Sequence, residues 1–486
     1  MTKKPKNRHG IGTAGDICRM PATELAAAIR AKDVSAREAV SAFLDRIDQA
    51  NGAVNAVVSL RERAELLKEA DAADAALAGG ATPGPLFGLP VAVKDLAQTK
   101  GIRTTFGSPI FKDNVPDVDE LFVGRMKAAG AIVIGKTNTP EFGLGSHTFN
   151  PVFGPTRNAF DPRFSAGGSS GGAAVALALD MLPLSDGSDF GGSLRNPAGW
   201  NNVFGLRPSQ GRVPGGPDKE VFVSQMGLDG PMARNVGDLA LLLSVQAGYD
   251  RQAPLSLGEN EDFVGGLAMP APTGLRIGWM GDMGGRLPME DGVLAVCGSA
   301  LDRLEAGGFH VEPVVPDFDL EGLWRAFVTL RHSTSGCGLK AHYDNPAERS
   351  LLKPEAVFEV EGALRLTAPE IHAASATRSN WYRAVQKLFE RFDLLALPTA
   401  QLFPFPIEDH WPKAIAGRTM DSYHRWLEVC SYATLAACPA AAVPAGFDAE
   451  GRPMGLQLIG PPRADMAVLR AALAYERLMD WTPGAG

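Results

Sequence analysis

The sequence predicts an α/β fold with a largely buried sheet. Three observations carry this expectation. Short, mostly apolar runs of strand length recur at 89–93, 131–134, 275–280, 394–397 and 454–459. Such runs suit strands covered on both faces. Helical segments lie between them, the interleaving that characterises α/β chains. Finally, 486 residues with 45% hydrophobic and 21% charged side chains bury an ample core without disulfides.

The elements follow in order. Residues 1–20 read as a loose N-terminal leader, and 21–480 as one domain. A helix is expected at 22–31. Ser35-Ala36-Arg37-Glu38 has the form of a capping box and opens a second helix to about residue 51. Residues 64–78, rich in Ala, Glu and Lys, form a third helix, broken by Thr82-Pro83-Gly84-Pro85. The strand at 89–93 carries Lys94-Asp95 at its end. A helix at 121–129 precedes a strand at 131–134, closed by Lys136-Thr137-Asn138. Residues 173–179 form a buried helix, and 236–247 a helix capped by Asn235. Residues 275–280, 293–306 and 310–315 read as strand, helix, strand. Strands at 394–397 and 454–459 follow, and Asp465 is expected to cap the last helix, 466–479.

A net charge of −8 argues against nonspecific nucleic-acid binding. The five cysteines, Cys18, Cys297, Cys337, Cys430 and Cys438, are odd in number and contain no CxxC pair. That disfavours zinc sites and a disulfide framework, and reduced thiols suit the cytoplasm. The basic N-terminus lacks the apolar segment of a signal peptide, and no run is long enough to span a membrane. Between 320 and 435 lie Trp324, Trp381, Trp411, Trp426, Tyr343, Tyr382, Tyr423, Tyr432 and Phe403-Pro404-Phe405-Pro406. This stretch is either a packed subdomain or a substrate-shaping pocket or lid.

Two glycine clusters concentrate the chemistry: Gly167-Gly168-Ser169-Ser170-Gly171-Gly172 and Asp189-Phe190-Gly191-Gly192-Ser193-Leu194-Arg195. Paired glycines let backbone amides approach a ligand closely. Ser193 is either a nucleophile in need of a base, with the amides of Phe190, Gly191, Gly192 and Ser193 converging as an oxyanion hole, or a bystander in a glycine turn. Among bases, His147, His332, His410 and His424 are ordinary structural histidines unless the fold gathers them. Lys94, ending an apolar run, is either a base neutralised by desolvation or a surface cap or ion-pair partner, with Asp95 beside it. Ser169 is then either a proton relay between Lys94 and Ser193, because a hydroxyl both donates and accepts, or a filler of the glycine loop.

These segments, with Val91-Ala92-Val93-Lys94-Asp95, resemble the amidase signature family. Weaker echoes are Gly135-Lys136-Thr137-Asn138, Glu141-Phe142-Gly143, Gly205-Leu206-Arg207-Pro208-Ser209, residues 227–238, Leu397-Pro398-Thr399, Pro444-Ala445-Gly446 and Gly455-Leu456-Gln457-Leu458-Ile459-Gly460. The resemblance implies a large central mixed β-sheet flanked by helices on both faces, and a Ser–Ser–Lys triad. Ser193 is acylated, Ser169 bridges next to a cis peptide bond, and Lys94 is the general base. Ser170, Asp189 and Arg195 fix the surrounding loops. It implies a small-molecule amide as substrate, neither cofactor nor metal, and leaves a homodimer open. Two departures stand out: Phe190, where many members have a smaller or β-branched residue, and Tyr432-Ala433-Thr434, where an asparagine-bearing segment is expected.

Competing readings remain. Gly168-Ser169-Ser170-Gly171-Gly172 also fits the G-x-S-x-G elbow with His410 or His424 as a late histidine, but leaves Lys94 without a role. No lysine follows the glycines as in a phosphate loop. The family also includes the glutaminase-type component of an amidotransferase that works only as a multi-subunit complex, often with glutamine where this chain has Asn196. A non-catalytic scaffold disagrees with three intact triad positions.

Overall fold

The computed structural model describes residues 14–479 except 218–219, 260 and 271. Residues 1–13 of the expected leader lie outside them. The rest of that leader is ordered differently from a loose tail: Ala14–Arg19 is a helix, and Cys18 is buried in the main core.

Thirteen strands form among the described residues. They are β1 (Val57–Val58), β2 (Pro90–Lys94), β3 (Ile132–Thr137), β4 (Leu184–Asp189), β5 (Phe204–Arg207), β6 (Leu228–Ala233), β7 (Arg276–Trp279), β8 (His310–Pro313), β9 (Leu394–Pro398), β10 (Ala414–Ile415), β11 (Arg418–Thr419), β12 (Ala440–Phe447) and β13 (Pro453–Ile459). Eight make the central sheet, in the order β4-β6-β5-β12-β13-β9-β7-β8. It is mixed: β4 through β9 pair antiparallel, while β7 runs parallel to both β9 and β8. Helices flank it, as the interleaved pattern predicted.

A smaller sheet, β1-β3-β2, carries Lys94 at the end of β2, level with Thr137 of β3. Side chains join the two sheets. The Lys94 N–H donates to both carboxylate oxygens of Asp186 on β4 at 3.2 Å, and Ser185 Oγ donates to Ala92 O at 3.3 Å. This suture brings the end of β2 to the glycine clusters.

The Ser35 capping box and the Asn235 cap form as the sequence predicts, opening Ala36–Val54 and Val236–Gln246. Asp465 does not cap. It is the first residue of Asp465–Leu478, and its carboxylate instead takes Ser209 N at 2.7 Å and Arg212 Nε at 3.0 Å. Strands β4, β5, β6 and β12 were not expected. Leu-Ser-Asp-Gly-Ser-Asp and Ala-Ala-Ala-Val-Pro-Ala-Gly-Phe lack the β-branched run that marks a strand. Close packing explains their small residues. A Cβ at Gly187 would lie 2.7 Å from Ser170 Oγ, and one at Gly172 in the buried helix Gly171–Ala178 would lie 2.3 Å from Asn138 N.

Residues 320–389 are largely helical: Leu320–Arg331, a π-turn at His332–Gly336, Cys337–Asp344, Pro346–Arg349, Pro354–Arg365 and Ala368–Phe389. Trp324 and Trp381 are buried in the core, whereas Tyr382 is exposed.

Candidate active site

Burial decides the state of Lys94. Only 1% of the residue is exposed, and Nζ lies 2.7 Å from Ser169 Oγ, 2.8 Å from Ser170 Oγ and 2.9 Å from Ser188 Oγ. Desolvation lowers its pKa from 10.5 to about 7, against the opposing pull of Asp229, Asp186 and Asp189. The three hydroxyls satisfy the amine in either state. An ammonium donates to all three; a neutral amine donates to two and accepts from the third, since each hydroxyl can reverse its role.

Ser169 and Ser170 open the buried helix Gly171–Ala178. The Gly168–Ser169 peptide is cis. Asn196 Oδ1 accepts from Gly168 N at 3.2 Å, and Thr148 Oγ1 donates to Gly167 O at 2.8 Å. Ser170 N donates to Ser193 O at 3.2 Å, tying the two glycine clusters together. Ser170 therefore does more than brace a loop; it contacts Lys94 as closely as Ser169 does.

Asp189, at the end of β4, organises the second cluster. Its carboxylate accepts from Gly192 N at 2.9 Å, Leu194 N at 3.1 Å, and Arg195 Nε and Nη2 at 2.9 and 2.8 Å, with Arg207 Nη1 at 3.3 Å. Burial alone would raise its pKa, but Arg195 and Arg207 hold it well below the usual carboxylate range. Arg195 is anchored further by Cys430 O at 2.8 Å and Gln457 Oε1 at 2.6 Å. The Gly192 amide is thus engaged by Asp189, unlike the expected oxyanion donor. The amides of Phe190, Gly191 and Ser193 have no acceptor among the described residues.

Ser193 lines a small cavity with Gly143, Gly145, Ser146, Gly191, Phe327, Arg331, His424 and Leu427. Its hydroxyl makes no hydrogen bond to Ser169 or to any other described residue. Ser169 is not one of its lining residues, but it lies close behind Gly143, which is: a Cβ on Gly143, whose φ is +69°, would sit 3.5 Å from Ser169 Oγ. The third hydroxyl around Lys94, Ser188, instead faces a larger cavity of about 450 Å³ with Leu96, Phe142 and Asp229.

None of His147, His332, His410 and His424 hydrogen-bonds Ser169 or Ser193. His147 is held by Ser165 Oγ and Ile407 O, and burial lowers its pKa to about 4. His332 and His410 pair with Glu359 and Glu355. His424 reaches the cavity wall, but its Nδ1 bonds Ser422 Oγ at 2.8 Å and burial lowers its pKa to about 3. The elbow reading thus lacks its base.

Sequence reasoning missed Ser188, Asp186, Arg207, the anchoring role of Asn196 and the Arg331 cluster. Ser188 and Asp186 alternate along β4, a signal hidden by the polar composition of that strand. Among the described residues, no group of three or more His, Cys, Asp and Glu side chains is arranged for a metal ion. Within the same residues, no helix is long and apolar enough to cross a membrane.

The Amidase family model matches residues 38–469. An acylamidase of Rhodococcus erythropolis is 33% identical over 478 residues, 95% of this chain and 96% of that protein. The GatA-type component of the glutamyl-tRNA(Gln) amidotransferase of Thermus thermophilus is 37% identical over 479 residues, 94% of this chain and 97% of that protein. The crystal structure of a bacterial aryl acylamidase of the amidase signature family superposes with a TM-score of 0.89 at 30% identity, covering 96% of this chain and 99% of that one.

Proposed function

The chain belongs to the amidase family and is an amide-hydrolysing enzyme; on that premise we propose that it cleaves a small apolar or aromatic carboxylic amide, and esters of the same acids, through an acyl-enzyme on Ser193. The observation that carries the reading is the 2.7 Å bond from a desolvated Lys94 to Ser169.

Neutral Lys94 accepts a proton from Ser169 as Ser169 takes the Ser193 proton, and Ser193 Oγ attacks the amide carbon. The free amides of Phe190, Gly191 and Ser193 receive the developing oxyanion. The proton returns through Ser169 to the departing amine, and water repeats the sequence on the ester. Ser170 and Ser188 keep Lys94 solvated by hydroxyls throughout. Asp189, Arg195 and Arg207 fix the turn that presents the amides.

Phe327, Arg331, His424 and Leu427, all from 320–435, line the cavity at Ser193, which supports a substrate-shaping role for that segment. The five free cysteines support a reducing compartment such as the cytoplasm. A panel of aryl and alkyl amides and esters, compared between wild type and Ser193→Ala, tests the reading. Mass-spectrometric mapping of a phosphonofluoridate adduct to Ser193 tests the nucleophile. Turnover confined to small aliphatic amides would remove the apolar preference.

The amidotransferase relative favours a second reading, a glutaminase that works within a multi-protein complex. An α-amino-acid amide presents an ammonium as well as a carboxylate, and no carboxylate is among the residues lining the Ser193 cavity. That favours the free-standing amidase. Gel filtration of the isolated protein, with glutamine as test substrate, separates the two and reports whether the chain dimerises.

A further inference from the structure

The Ser193 cavity contains one fixed cation that the proposed mechanism leaves unused. Arg331 closes the helix Leu320–Arg331, just before the π-turn at His332–Gly336. Its side chain is 8% exposed, so it does not extend into water. Nε donates to Glu359 Oε1 at 2.8 Å and to Tyr423 OH at 3.2 Å, and Nη2 donates to Tyr423 OH at 3.0 Å. The guanidinium also lies over the Phe190 ring, 4.8 Å from its centroid. Carboxylate, phenol and ring together immobilise it.

A guanidinium has five N–H groups. Neither N–H of Nη1 has an acceptor among the described residues, although Arg331 lines the same cavity as Ser193. The fold has no need of these donors. Glu359 already balances the charge, and its second oxygen is taken by His332 Nδ1 at 2.7 Å. Phe327 and Leu427 give the cavity its apolar side, with Phe190 edge-on to Phe327 at 6.0 Å, and Ser146, Ser193 and His424 are its other polar side chains. An immobilised donor with spare hydrogens beside an apolar wall rewards an acceptor and penalises its absence.

We infer that Arg331 binds a hydrogen-bond-accepting oxygen, carbonyl or carboxylate, on the acyl part of the substrate, and so selects acids that carry a second oxygen function. The acyl side is chosen because Ser193, which retains the acyl group, shares this cavity. The inference rests on the acyl-enzyme reading above. The preferred substrate is then an amide whose acyl chain is mostly apolar but bears one acceptor.

Matched anilides test it: butyranilide against acetoacetanilide, pentananilide against 4-oxopentananilide, with succinanilate as the anionic arm. Wild type is expected to favour at least one oxygenated acyl chain by about tenfold or more in kcat/KM, the scale of one hydrogen bond to a charged group. Arg331→Met reduces that ratio to within about twofold, and Arg331→Lys retains it best for the carboxylate. Ratios within one enzyme cancel the fraction folded. Arg331→Met/Glu359→Gln removes both charges if the single variant fails to fold. A wild-type ratio near unity for every pair overturns the inference, as does an unchanged ratio in Arg331→Met. Pentananilide hydrolysis surviving in Ser193→Ala would instead defeat the acyl-enzyme reading, whatever the ratios.

Discussion

Lys94 Nζ lies 2.7 Å from Ser169 Oγ and makes no hydrogen bond to Ser193. In the proposed mechanism Lys94 acts on Ser193 through that second hydroxyl. Because burial lowers the Lys94 pKa to about 7, the neutral amine becomes more abundant as pH rises through that value. The expected kcat/KM rises from acid pH with unit slope, bends near pH 7 and is level above about pH 8. Lys94→Arg keeps the charge at every pH and is expected to be inactive. A flat profile from pH 5 to 9 with acylation limiting would count against a lysine base.

The three hydroxyls around Lys94 are expected to differ in weight. Ser169→Ala removes the relay and lowers kcat by about 10²–10⁴-fold. Ser170→Ala and Ser188→Ala remove only one partner of the amine, and each costs about tenfold or less. Ser193→Ala lowers kcat by about four to six orders of magnitude. Single-turnover kinetics on an aryl ester ranks them; equal losses at 169 and 170 would show that the relay is shared.

Asp189→Asn leaves the buried guanidiniums of Arg195 and Arg207 without their common carboxylate. Removing one partner from a buried ion pair destabilises by about 3–5 kcal/mol. The midpoint of urea unfolding is expected to fall accordingly, with activity lost in the folded fraction as the Gly192 turn loosens.

Gly192→Ala probes the same turn from the other side. Gly192 has φ +122°, and an added Cβ would meet Cys430 Cβ at 2.8 Å and Leu427 Cδ2 at 3.0 Å. The turn must move, which displaces the neighbouring amides. We expect kcat to fall by about 10²-fold or more, the cost of losing an oxyanion donor, with KM nearly unchanged.

Of the five cysteines, Cys337 alone is exposed, and all five are free. Burial raises the pKa of Cys18 to about 11 and of Cys430 and Cys438 to about 12. A disulfide reagent is therefore expected to titrate one thiol quickly in the native protein and five after denaturation. Fewer than five in denaturant would indicate a disulfide.

The α/β class and the Ser35 and Asn235 caps were legible in the chain alone, and Lys94, Ser169 and Ser193 stood out there as candidates, because each is a local signal: periodicity, a cap or a glycine spacing. Strands β4, β5, β6 and β12 were not, since their small residues answer to neighbouring backbone rather than to strand propensity. Nothing local told that Asp186 joins two sheets, that Arg207 shares Asp189 with Arg195, or that Ser188 completes the hydroxyl cage. Those contacts link residues 18 to 94 positions apart. That Lys94 is a buried amine with a pKa lowered to about 7, rather than a surface cation, is decided only in three dimensions. Its lowered pKa comes from exclusion of water by β3, β4 and the buried helix Gly171–Ala178, and desolvation is a property of everything packed around a group rather than of the group itself.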